Sequence, residues 1–128
     1  KKYDPSDELA DLLGLKFQGV ASGIVQDYKA HEITANLDPL NYIAGSAILE
    51  GDLNASIEVL GRLGSDDFVD LNANDIKDSN EPTGSAVMGV LNYPKSRIFF
   101  IGDMNAIEIQ PQPFINNLVA WMGDCSGW

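Results

Sequence analysis

The chain has 128 residues, of which 45% are hydrophobic and 21% charged, a globular composition long enough for one domain with a real core and too short for two ordinary ones. Its 19 acidic and 8 basic side chains give a formal net charge of −11, which repels phosphate backbones and anionic membrane surfaces and argues against nucleic acid as a partner. No apolar run approaches the roughly 20 residues that cross a bilayer, so no membrane insertion is expected, and the single cysteine, Cys125, rules out an internal disulfide.

The chain opens on Lys1-Lys2-Tyr3, with no initiator Met and no signal peptide, as expected of a mature or excised piece of a longer protein. Asp4 suits an N-cap, Pro5 the first helical position, and Asp7 and Glu8 the positive helix end. Leu9, Leu12 and Leu13 would form the apolar stripe, and Gly14 the stop. Strands are predicted from Phe17 to Val25, from Asn41 to Leu49 and from Ser56 to Leu63, each short, apolar and closed by Gly, Asp or Asn. An acidic loop runs from Gly64 to Gly84. Ala86 to Asn92 and Arg97 to Ile101 then read as a hairpin across Tyr93-Pro94-Lys95-Ser96, where Pro presets the turn. The uniformly apolar Ile98-Phe99-Phe100-Ile101 predicts a central strand covered on both faces. Pro113 to Met122 reads as a helix with Phe114, Leu118, Trp121 and Met122 on one face and Gly123 at its end.

The strongest local signal is the stretch Asp70-Leu71-Asn72-Ala73-Asn74-Asp75-Ile76-Lys77-Asp78-Ser79-Asn80-Glu81. Calcium is a hard cation that takes six to eight oxygens from carboxylates, side-chain amides and backbone carbonyls. Asp70, Asn72 and Asn74 occupy positions one, three and five of a twelve-residue loop. Ile76 at seven offers its carbonyl, Asp78 stands at nine, and Glu81 at twelve would close the shell bidentately. The sixth position is normally Gly because the backbone turns sharply there; this chain has Asp75, which tolerates positive φ better than most residues. Pro82-Thr83-Gly84 allows no helix to leave the loop, so an isolated calcium loop between strands is expected, with affinity of roughly 10⁻⁵ to 10⁻³ M. The competing reading is an acidic surface turn without metal, since Asp and Asn cap backbone groups in any loop. A competent oxygen at all six positions favours calcium.

Other residues carry less. His31, the only histidine, suits a local turn contact, and Cys125 lies after the last helix with no base beside it. Asp103 and Asn105 follow a strand end, where a second site would fall in an α/β sheet. Asn54-Ala55-Ser56 fits the N-glycosylation pattern, which matters only in an exported protein. Trp121 fits the core, and Trp128 is a terminal residue.

The order Leu12-Leu13-Gly14, His31-Glu32-Ile33-Thr34, Val87-Met88, Tyr93 to Asp103 and Phe114 to Trp121 resembles the second half of the glutamine amidotransferase-like (flavodoxin-like) superfamily, in its non-catalytic surface and accessory members. The Asp-Leu-Asn-X-Asn stretch is similar to calcium loops of surface-protein versions. Glu32 after the His, and Pro94 and Ser96 in place of glycines, depart from that pattern. The nucleophile elbow has no counterpart, and Cys125 cannot replace it. The resemblance implies an α/β fold, a mixed sheet flanked by helices forming part of a flavodoxin-like domain, with a C-terminal β-hairpin and helix. It implies a non-catalytic, calcium-stabilised binding or structural module of an exported prokaryotic protein at the cell surface, in the envelope or in the periplasm. Such a module would contact protein or glycan and associate with a missing N-terminal half or a second chain. Two alternatives are a degenerate amidotransferase or hydrolase using Asp103 with His31, and a subunit that completes another chain's sheet.

Overall fold

A computed structural model describes residues 5–103 and 112–126. Asp4, Met104, Asn105 and Trp128 lie outside these, so the expected N-cap, most of the second candidate site and the terminal Trp have no structural counterpart here. The described elements are α1 (Pro5–Leu12), β1 (Phe17–Tyr28), β2 (Leu40–Ile48), a 3₁₀ turn (Glu50–Asp52), β3 (Ile57–Leu63), β4 (Val69–Asp70), β5 (Ala86–Tyr93), β6 (Ser96–Ile101) and α2 (Gln112–Gly123).

The architecture corrects the α/β expectation. Strands make up 42% of the chain and helices 17%, in a curled antiparallel half-barrel. Every strand pairing is antiparallel, in the order β2-β1-β3-β5-β6, with β4 also on β1. Antiparallel neighbours need only a turn or loop between them, so no α-helix is inserted between any two consecutive strands and nothing builds the helical layers of a flavodoxin-like sheet. β6 is the last strand of the order and not a central one. Both its faces are nevertheless covered, because Phe99 and Ile101 pack with one apolar cluster and Ile98 and Phe100 with the other.

The sheet curls far enough for β2 to reach the residue that follows β6. Ser46 N–H of β2 donates to Gly102 C=O beyond β6 (2.9 Å), and Gly102 N–H donates to Val87 C=O (3.1 Å). The buried Tyr42 hydroxyl donates to Ser46 C=O (2.6 Å), and the Asp103 carboxylate accepts Ile43 N–H (2.8 Å). A Cβ at Gly102 would lie 2.0 Å from Ser46 O, so the seam closes only around glycine. On one face α2 covers the sheet with Phe114, Leu118 and Trp121, packed among Val25, Ile33, Tyr42, Met88 and Val90. The Phe114 ring meets Phe99 edge-on at 5.8 Å, and Asn117 Nδ2 donates to Ile33 and Ala35 C=O.

The other face is closed by α1 and the turns beside it. Gly14, at φ +73°, ends α1 with Leu15 N–H bonded to Ala10 C=O and Gly14 N–H to Asp11 C=O, a Schellman arrangement that turns Ala10 and Leu15 inward. Here the expected stripe is corrected: Leu13 packs inward, whereas Leu9 is 60% and Leu12 82% exposed. The 3₁₀ turn presents Glu50 to Arg62 of β3 through two hydrogen bonds of 2.9 and 2.5 Å, which hold the Glu50 carboxyl below its ordinary range. With both side chains about a third exposed, the pair stabilises by no more than about 1 kcal/mol.

If α2 is integral to the core, Phe114→Ala should lower unfolding free energy by about 3–5 kcal/mol in urea. Val119→Ala, on the exposed side of the same helix, should stay within about 0.5 kcal/mol. Equal effects would mean that the helix is not the sheet's cover.

Candidate metal centre

The acidic loop is carried at the end of a long interrupted hairpin. β4 follows β3 along the same edge of β1, with Val20 opposite Asp70 and Ala21 opposite Val69. The return segment pairs Phe68 with Thr83, and Val69 N–H donates to Pro82 C=O (3.0 Å). Where β3 gives way to β4, the Asp67 carboxylate accepts Ile24 N–H and Gly64 N–H, both at 3.2 Å. The candidate loop therefore stands between strands, with both ends fixed by backbone pairing.

Within it, the chain winds around the buried carboxylate of Asp70. Asp70 Oδ1 accepts N–H groups of Asn72 (3.1 Å), Ala73 (2.6 Å) and Asn74 (3.3 Å), and Oδ2 accepts Asp75 N–H (2.8 Å). These donors, Asp75 foremost, hold the Asp70 carboxyl below the usual aspartate range against an opposing burial effect. The winding requires left-handed backbone at Ala73 (φ +59°) and at Asp75 (φ +58°), the sixth position of the loop. Glu81, 4% exposed, closes the other end by accepting Leu71 N–H on Oε1 (2.8 Å) and Asp78 N–H on Oε2 (2.9 Å).

The remaining sequence-predicted donors lie between these two carboxylates. Asn72 and Asn74 both direct Nδ2 at Asp78 Oδ2 (2.7 and 3.2 Å), while their Oδ1 atoms accept Asn74 N–H and Ile76 N–H. The Ile76 carbonyl accepts no hydrogen bond among the described residues. Lys77, the one basic side chain between Gly64 and Gly84, donates from Nζ to Asp78 and Glu81 C=O at 3.3 Å. Sequence reasoning missed Lys77; its only signal was that it stands alone among acids.

The donor set has the chemistry of a calcium site, consisting of carboxylates, amides and a backbone carbonyl on one winding loop. Ionised carboxylate oxygens accept more than one partner, so the N–H bonds to Asp70 and Glu81 are compatible with ligation. Asn72 and Asn74 would have to turn their amide oxygens towards the ion. Among the described residues no group of three or more His, Cys, Asp and Glu side chains comes together as a metal site, so any ligation would need the amide and carbonyl oxygens as well. Beside the loop a hollow of about 140 Å³ is lined by Val20, Ser22, Phe68, Asp70 and Asp75.

The other candidates are engaged separately. His31 Nδ1 accepts Ile33 N–H (3.1 Å), and its ring meets Trp121 edge-on at 5.5 Å. No described hydrogen bond or ion pair joins His31 to Asp103, whose carboxylate belongs to the sheet seam. Cys125 is exposed beyond α2. Comparison with known protein families, with curated proteins and with solved structures finds no match.

Two outcomes follow from this geometry. The folded-state pKa of Asp70 lies below the unfolded value of about 3.9. Its contribution is therefore complete above that value and is lost as pH falls through the folded one. The thermal midpoint should drop on acidification below about pH 4, and Asp70→Asn should remove that component while the acid response of the Glu50–Arg62 pair remains. Parallel acid limbs for the two proteins would refute the assignment. Separately, Asp75→Gly should raise stability by about 0.5–1 kcal/mol through relief of left-handed strain, measured in urea without added metal; a loss would show that the Asp75 side chain itself is required.

Proposed function

We propose that this chain is a non-catalytic, calcium-stabilised binding or structural module of an exported prokaryotic cell-surface or envelope protein, acting by contact with protein or glycan. The observation that carries the calcium part is the left-handed conformation of Asp75 at the sixth loop position. A chain gives up backbone freedom to wind there, and four N–H groups converging on Asp70 are what the winding achieves. Winding brings Asn72, Asn74 and Asp78 side chains within hydrogen-bond reach of one another, leaves the Ile76 carbonyl without a partner among the described residues, and sets Glu81 across the loop from Asp70. A divalent ion there would offset local repulsion among Asp66, Asp67, Asp70, Asp75, Asp78 and Glu81, against which Lys77 is a single cation.

The non-catalytic part is supported by the separate engagement of His31 and Asp103 and by the exposed tail position of Cys125. The surface role leans on the net charge of −11 together with stabilisation by a metal in place of disulfides.

Titration with CaCl₂ in a calorimeter should give one site with a dissociation constant of roughly 10⁻⁵ to 10⁻³ M. At a hundred times that constant the ion should add about 2.7 kcal/mol to folding stability. Asp78→Asn, which leaves the buried Asp70 and Glu81 contacts in place, should weaken binding about tenfold, or about 1.4 kcal/mol. Absence of both heat and a thermal shift at millimolar calcium would end this reading.

A further inference from the structure

We infer that Asn54 is an acceptor site for N-linked glycan. Asn54-Ala55-Ser56 is the one place in the sequence where an asparagine is followed two residues later by Ser or Thr, with a residue other than Pro between. The triplet lies on the exposed connection between the 3₁₀ turn and β3. Asn54 C=O accepts Ile57 N–H (2.9 Å), which makes the triplet a reverse turn. Asn54 Oδ1 accepts Ser56 N–H (2.9 Å), drawing electron density from the amide towards its oxygen and leaving the side chain held in one orientation. The Asn54 side chain is exposed, and its Nδ2 donates to no described residue.

The donor class is an oligosaccharide linked through its anomeric carbon to a lipid diphosphate, presented by a transferase. Asn54 Nδ2 forms the bond to the anomeric carbon and gives up one hydrogen as a proton to a transferase base. The anomeric C–O bond breaks, and the lipid diphosphate leaves with its electron pair. Nothing is oxidised or reduced. The inference rests on the proposed exported placement only for access to this donor.

The full chain, secreted from a eukaryotic host that performs N-glycosylation behind that host's own signal, should appear by intact mass as a glycoform. Peptide-N-glycosidase should strip it to a mass just above that of the bare polypeptide, because hydrolysis leaves an aspartate at position 54. Asn54→Gln and Ser56→Ala should both be secreted at the bare mass, and Ser56→Thr should keep the glycan. Bare mass for the secreted parent chain, or a glycan surviving in Asn54→Gln, overturns the assignment. Should Asn54→Gln fail to fold, the Ser56→Ala and Ser56→Thr pair decides alone. Calcium titration of the same enzymatically stripped protein reads the metal proposal independently, so either can fail without the other.

Discussion

The architecture depends on a short strip of backbone where β2 meets the end of β6. Ser46 and Gly102 bond directly, Tyr42 reaches over to the Ser46 carbonyl, and Asp103 caps Ile43. Burial and the neighbouring Asp103 charge raise the Tyr42 hydroxyl well above its ordinary pKa, so it remains a neutral donor. The curl that this strip holds lets α2 cover one face of the sheet while α1 and the turns beside it close the other. The same curvature fixes the line of β1, and β1 in turn supports β4 and the base of the acidic loop.

The acidic loop satisfies its own backbone with side chains. Asp70 and Glu81 are buried carboxylates whose hydrogen-bond partners are all main-chain N–H groups of the loop, and no buried side-chain nitrogen or oxygen is left unpartnered among the described residues. The winding is a set of nested turns, and the sheet supplies the separation of the loop's two ends.

Element positions were largely legible in the sequence, and the fold class was not. Apolar runs closed by Gly, Asn or Pro located five strands and the last helix to within a few residues, because period and punctuation are local properties. Strand direction is not local. Ala86 to Leu91 and Ile98 to Ile101 are apolar throughout because both faces of the curled sheet are covered, a pattern that parallel strands of an α/β fold share. β4, two residues long, leaves no periodic trace. The stripe assigned to α1 failed because Gly14 turns the chain so that Ala10 and Leu15 face inward, leaving Leu9 and Leu12 outside. In the loop, the strained turn at Asp75 was legible from its position. The equal strain at Ala73 was not, since nothing about alanine announces a left-handed backbone. Lys77 bonds to carbonyls, and carbonyl placement is not written in side-chain identity.

The pairing of Phe68 with Thr83 has a kinetic implication. Because the sheet already holds the loop's feet together, the entropy of closing it is met once, during assembly of the hairpin, and need not be met again each time the tip opens. The tip can thus melt and rewind as a small cooperative unit of its own while β1 to β6 remain intact. Its opening would be governed by a handful of Asx turns and by the Glu81 clasp, not by the stability of the domain.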